Sequence, residues 1–131
     1  MTTTVLGFDF GTQKIGVAVG QSLTGSATPL TALTCPQQAI PWQAIVTLLG
    51  EWQPTLLVVG LPLNMDDSES TLSQRARRFA RQLEGRYQLP VALIDERLST
   101  REARARTGIQ KADPKVDSMA AAILIENFFN G

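Results

Sequence analysis

Four carboxylates of this chain stand where structural elements end, not along solvated faces. Asp9 is the only charge in the apolar run Val5–Phe10, two positions before Gly11, and Asp95 and Glu96 close a second apolar run, LPVALID. Asp117 opens DSMAAAILIENF, and on a helix its neighbours at i+4, i+7 and i+11 would be Ala121, Leu124 and Phe128, which puts it on the apolar side. An isolated carboxylate in such surroundings is costly unless it is paired, protonated or bound to a cation. Singly, each acid has an ordinary structural role, such as complementing a helix dipole at Asp117. Converging, they would repel one another unless a divalent cation sat between them. Mg²⁺ or Mn²⁺ on such oxygen ligands could activate a water and stabilise the leaving oxygen of a phosphodiester.

The composition narrows the alternatives. The 131 residues include 12 Lys plus Arg, 12 Asp plus Glu, no His and one Cys. Imidazole bases, Ser-His-Asp triads and His-bearing zinc sites are excluded, and Cys35 alone makes neither a cluster nor an intramolecular disulfide. The N-terminus has no basic, apolar leader, and no stretch approaches the roughly 20 apolar residues that span a bilayer. The expectation is a reduced, cytoplasmic protein with no membrane partner.

The zero net charge is unevenly distributed. Every Arg lies between Arg75 and Arg106, and residues 75–115 carry 11 basic against 5 acidic side chains, or +6, leaving −6 for the rest. Guanidinium binds phosphate bidentately, so a nucleic-acid backbone is the expected partner, with solvated helix faces as the plain alternative. The candidate phosphate contacts are Arg75, Arg78 and Arg81, Arg97 and Arg101 beside Glu96, and Thr12 and Lys14 in the turn after Asp9. For Arg97 and Arg101 the alternative is a salt bridge, and for Thr12 and Lys14 ordinary turn chemistry. Trp42 and Trp52 read as packing residues, and Cys35 as an incidental thiol.

These residues need positioning elements, and the apolar spacing supplies them. Val5–Phe10 and Ile15–Gly20 flank the turn Gly11-Thr12-Gln13-Lys14 and predict a β-hairpin, with a third strand near Ala27–Leu33. Helical spacing follows over Pro41–Trp52, then the buried strand Thr55–Gly60, an Arg-rich helix to about Tyr87, and the strand closed by Asp95. Ser99-Thr100-Arg101-Glu102 fits a capping box for a helix to about Gly108, and Asp113-Pro114 opens a last helix to about Phe128. This order predicts one α/β domain over residues 1–131, with a mixed sheet, antiparallel in its first strands and parallel afterwards, and helices on its faces.

DFGTQKIGVAVG (Asp9–Gly20), VVGLPLNMDDS (Val58–Ser68), DERLSTREA (Asp95–Ala103) and DSMAAAILIENF (Asp117–Phe128) together resemble the successive motifs of the YqgF family, also described as RuvX-like, of the ribonuclease H-like superfamily. The similarity spans nearly the whole chain; DERLST is its most specific part and DFGT its weakest. The resemblance implies a ribonuclease H-like fold and a Mg²⁺-dependent nuclease that processes the 5′ end of precursor 16S ribosomal RNA in ribosome biogenesis, or resolves Holliday junctions. It also implies Asp9, Glu96 and Asp117 as catalytic and metal-binding acids. Asp95, which extended geometry would turn to the opposite side, stays open as a further ligand. Two departures bear on substrate affinity: Asn64-Met65-Asp66-Asp67 stands where the family usually reads N-M-D-G, and Ala112-Asp113-Pro114 where it usually has Lys and Gly.

The readings that follow are a nuclease acting on structured RNA, a resolvase of branched DNA, and a non-catalytic nucleic-acid-binding protein. The DFGT turn is also similar to the phosphate loop of actin-like ATPases and sugar kinases, but those close two lobes on a nucleotide and 131 residues make one. A monomer and a homodimer are both compatible with the sequence.

Overall fold

The computed structural model describes residues 3–96 and 118–130. Its strands are β1 (Thr4–Asp9), β2 (Lys14–Gln21), β3 (Ser26–Thr34), β4 (Leu56–Leu61) and β5 (Val91–Asp95), and its helices α1 (Trp42–Trp52), α2 (Thr71–Tyr87) and α3 (Met119–Asn130). The strands form one sheet in the order β3-β2-β1-β4-β5. The first three pair antiparallel, while β1–β4 and β4–β5 pair parallel, as the order of elements predicts. A short 3₁₀ turn, Pro36–Gln38, joins β3 to α1.

Alternation along the strands sends side chains to two cores. Leu6 and Phe8, Ile15 and Val17, and Leu57 and Val59 pack with α1 and α2, where Phe79 meets Phe8 edge-on at 5.7 Å and Phe10 at 5.1 Å. Val5, Ala18 and Val58 pack on the other face against Ala121, Leu124 and Ile125 of α3. The predicted arrangement of helices on both faces therefore holds for the described elements.

Helix α3 sits close to the sheet because the residues beneath it lack side chains. A Cβ on Gly7 would lie 2.7 Å from Ile125 Cγ1 and 3.2 Å from the Ala121 carbonyl oxygen. Its start is fixed at a second point: the Ser118 hydroxyl accepts the Val17 N–H at 2.9 Å, both residues being buried, beside the register shift between Ile15 and Val17. The predicted helix from Ser99 and the Asp113-Pro114 helix start lie outside the described residues.

Candidate metal and nucleic-acid site

Parity decides which acids meet. Along β1, Val5 and Gly7 face α3, and Asp9 is the next residue of that row, at the carboxyl end of the strand. Along β5, Ala92 and Ile94 pack on the same side and Glu96 follows them, whereas Asp95 belongs to the opposite row and is exposed. Two strands of the sheet thus deliver Asp9 and Glu96 to one face of its carboxyl edge, where open α/β sheets hold ligands.

Between them runs β4, which leaves the gap that lets the acids touch. The Glu96 N–H donates to the Leu61 carbonyl at 3.2 Å, and its side chain crosses over Gly60. A Cβ at Gly60 would collide with Glu96 Oε2 and reach within 2.8 Å of Leu124 Cδ1. Glu96 is 7% exposed and hydrogen-bonded to Asp9. Burial, then the hydrogen bond and charge of Asp9 and the charge of Asp95, push its carboxyl from 4.5 up to about 10. Both the burial of Glu96 and its hydrogen bond to Asp9 favour a proton held between the two carboxyls. Glu96 Oε2 is buried with no hydrogen-bond partner among the described residues. A carboxyl pair of half-buried Asp9 and buried Glu96 with one orphaned oxygen, on a chain without His, has the donor set of a hard divalent cation. Among the described residues no group of three His, Cys, Asp or Glu side chains assembles. The third acid expected here, Asp117, lies outside them, as do Arg97 and Arg101.

Around the acids, turns are held by backbone bonds. Gly11 is needed for the β1–β2 turn because a Cβ there would lie 2.5 Å from the Lys14 carbonyl oxygen. Thr12 is half-buried in that turn and Lys14 is exposed at the start of β2. The Cys35 N–H donates to the Gln13 carbonyl at 2.8 Å, tying the 3₁₀ turn to it. The loop after β4 is closed by the Asn64 N–H to the Ser68 carbonyl at 2.9 Å, with Asp67 in the left-handed region at φ 69°. Ser70 and Ser73 then form a capping box that starts α2, and the Ser70 hydroxyl donates to the Pro62 carbonyl at 2.9 Å.

The arginines of α2 divide between two flanks. Arg75 and Arg78 line a cavity of about 230 Å³ with Phe10, Gln38, Trp42 and Gln82, beside the 3₁₀ turn. Arg77 and Arg81 line another of about 180 Å³ with Glu84 and Leu93, toward β5. Arg77 is committed to a two-pronged pair with Glu69 at 2.9 and 3.0 Å, and Arg86 lies 3.9 Å above the centre of the Trp42 ring. Among the described residues Arg75, Arg78 and Arg81 have no carboxylate partner, and Arg75 Nη1 donates to Gln38 Oε1 at 3.1 Å. Trp42 packs on Phe79 and Tyr87, as expected of a core residue. Sequence reasoning passed over Gly60, Ser118, Gln38 and Gln82. Only Gly60 left a trace, as a glycine inside an apolar strand, which marks close approach by another group.

Comparison with known proteins gives concordant results. A family model described as "RuvX: Holliday junction resolvase" matches residues 3–131. A relative from Alcanivorax borkumensis is 62% identical over 127 residues, covering 97% of this chain and 96% of its own. One from Haemophilus ducreyi is 54% identical over 136 residues, covering 99% and 98%. Both carry the provisional name pre-16S rRNA nuclease. Among solved structures, Thermus thermophilus RuvC in complex with Holliday junction substrate aligns with a TM-score of 0.57 at 18% identity, over 97% of this chain and 93% of that one. The fowlpox virus Holliday junction resolvase aligns with a TM-score of 0.59 at 12% identity, over 97% and 98%. At these identities the structures speak for the fold alone, and it is the fold the sequence predicts. Among the described residues no helix is long and apolar enough to cross a membrane.

Proposed function

Because this chain belongs to the RuvX family, as the match over residues 3–131 and relatives at 62% and 54% identity establish, we propose that it is a divalent-metal-dependent nuclease that hydrolyses phosphodiester bonds at the 5′ end of precursor 16S rRNA. The observation that carries the reading is the pair of half-buried Asp9 and buried Glu96, with Glu96 Oε2 left without a partner among the described residues. Asp9, Glu96 and Asp117 are the proposed catalytic acids and ligands of Mg²⁺ or Mn²⁺; Asp95, on the other row, acts on Glu96 through its charge. When bound, such a cation supplies a water of lowered pKa and neutralises charge on the leaving oxygen. The residues of this chain do the rest. Glu96 must give up its shared proton to become a ligand, and Asp9 keeps it in place from β1, across β4. Thr12 and Lys14 at the turn, Arg75, Arg78 and Arg81 on α2, and Arg97 and Arg101 are the proposed contacts to the phosphate backbone on either side of the acids.

RNA is the proposed substrate because the full-length relatives carry the rRNA name; the family description favours a second reading, a resolvase of branched DNA, which would require a dimer to cut two strands symmetrically. A monomer or homodimer working in the cytoplasm suits the first reading. The test is cleavage of a precursor 16S 5′-leader RNA and of a four-way DNA junction, each with Mg²⁺ or Mn²⁺ and with chelator, by wild type and Asp9→Asn. RNA cleavage that needs metal and disappears in Asp9→Asn is expected. Equal activity of the two proteins would remove Asp9 from the catalytic role, and inertness on both substrates would return the chain to a non-catalytic binding role.

A further inference from the structure

We infer that the cavity between α2 and the 3₁₀ turn is a binding pocket for one unpaired nucleotide of the substrate strand. The inference rests on the nucleic-acid reading of this edge and adds to it a preference for single-stranded flanks. Its volume, about 230 Å³, is below that of pockets for drug-sized ligands, so it has room for a base with part of its sugar and none for a duplex. Its walls combine the groups such a ligand needs. Arg75 and Arg78 supply guanidinium for phosphate, Gln38 and Gln82 carboxamides for base edges, and Phe10 and Trp42 an apolar floor. Among the described residues no carboxylate lines the cavity, in contrast to the Arg77–Arg81 flank, where Glu84 lines the pocket and Glu69 occupies Arg77.

The wall is built, not a chance gap between side chains. Gln37 and Gln38 are consecutive residues in the left-handed region, at φ 54° and 63°, an unfavourable backbone for non-glycine residues that tends to persist where a site requires it. That backbone sets Gln38 Oε1 against Arg75 Nη1 at 3.1 Å, which occupies the carboxamide oxygen and leaves its NH₂ as a donor. The Gln38 N–H donates to the Cys35 carbonyl at 3.0 Å, and the Cys35 N–H to the Gln13 carbonyl at 2.8 Å, so the wall is tied to the turn that follows Asp9. Phe10 and Asp9 are adjacent and face opposite sides of β1. The pocket thus opens on the α2 side of the same sheet edge that carries the acids on its α3 side, with Phe10 and Asp9 as adjacent residues between them.

Trp42 is the reporter. In a Trp52→Phe background it is the sole tryptophan, since the chain has two. Pentauridylate and pentathymidylate, titrated in chelator so that nothing is cut, are expected to change its fluorescence saturably. Gln82→Ala should weaken this binding about fivefold and Arg78→Ala about tenfold, while a blunt RNA duplex of equal charge should not compete. Equal response to both oligonucleotides places the recognition in base and phosphate; a response to the ribose form alone adds the 2′-hydroxyl to it. The inference is overturned if neither oligonucleotide gives a saturable change, if inorganic phosphate alone reproduces it, or if Gln82→Ala and Arg78→Ala bind as wild type does. Because binding is read without cleavage, its failure leaves the reading of the acids untouched, and an active Asp9→Asn would sink that reading while leaving the pocket standing.

Discussion

Asp9 and Glu96 are hydrogen-bonded to one another although their strands are not neighbours, because β4 between them presents Gly60 and leaves the Glu96 carboxyl room to cross. The arrangement is unfavourable for an empty fold and suited to a cation.

Replacing Glu96 by Gln should therefore stabilise the metal-free protein while abolishing cleavage. The folded pKa of Glu96 is raised from 4.5 to about 10, so the fold favours the protonated form. Its contribution is complete below pH 4.5 and is lost as pH rises toward 10. Thermal unfolding in chelator at pH 8 should place Glu96→Gln above wild type, by about 3 °C or more if about 1 kcal/mol is recovered, with the two converging near pH 4.5. Added Mg²⁺ or Mn²⁺ should raise the wild-type Tm and leave that of Glu96→Gln unmoved. A less stable Glu96→Gln at pH 8 would contradict the account of the pair.

Gly60→Ala should separate positioning of Glu96 from packing of α3. The new methyl would strike Glu96 Oε2 as well as Leu124, whereas the methyl of Gly7→Ala would strike Ile125 and the Ala121 carbonyl only. Both variants should lose about 1–3 kcal/mol by overpacking. Gly60→Ala alone should also lose the stabilisation by Mg²⁺ and cut kcat by about tenfold or more, since a misplacement on the order of 1 Å costs that much. Equal metal-induced Tm shifts in the two variants would show that Gly60 serves the helix and nothing else.

Asp67→Gly should stabilise the protein slightly. Asp67 holds φ 69°, at the position where the resembled family usually has Gly, so the departure is in residue type and not in backbone shape. The left-handed conformation costs an ordinary L-residue about 1–2 kcal/mol, less for Asp, and the added entropy of Gly in the unfolded chain offsets part of the relief. A net gain of about 0.5 kcal/mol, read as a rise in urea midpoint, is expected. Removing the acid should also strengthen RNA binding at low salt. A lowered midpoint would mean that contacts of the Asp67 side chain outweigh its backbone cost.

Much of this was legible in the sequence for identifiable reasons. The hairpin, the switch from antiparallel to parallel pairing and the two-sided cover of helices follow from apolar runs whose period of two or near 3.6 is fixed by local geometry. Asp9 and Glu96 were visible as charges closing apolar strands. What brings them together was not, because it depends on which residue of β4 lies between β1 and β5 in register, and register is a property of three strands at once. Ser118 was silent for a similar reason: its partner, the Val17 N–H, is 101 positions away. Arg75, Arg78 and Arg81 stand together in the sequence as candidate phosphate contacts, and the fold divides them because α2 turns Arg75 and Arg78 toward the 3₁₀ turn and Arg81 toward β5.

Ser118→Ala should lower stability and activity together. Its hydroxyl takes up the buried Val17 N–H at 2.9 Å and pins the start of α3 to β2, one residue after the proposed ligand Asp117. Removing it leaves a buried donor unsatisfied, at a cost of about 1–3 kcal/mol, so the protein should fold with a lowered Tm. Hydrogen exchange at Val17 is the direct readout and should accelerate. If the bond also holds the Asp117 end of the helix in register with Asp9 and Glu96, kcat should fall by about tenfold with KM little changed, and Ser118→Thr, which restores a hydroxyl, should recover part of it. A variant with faster Val17 exchange and unaltered kcat would confine Ser118 to the stability of the fold.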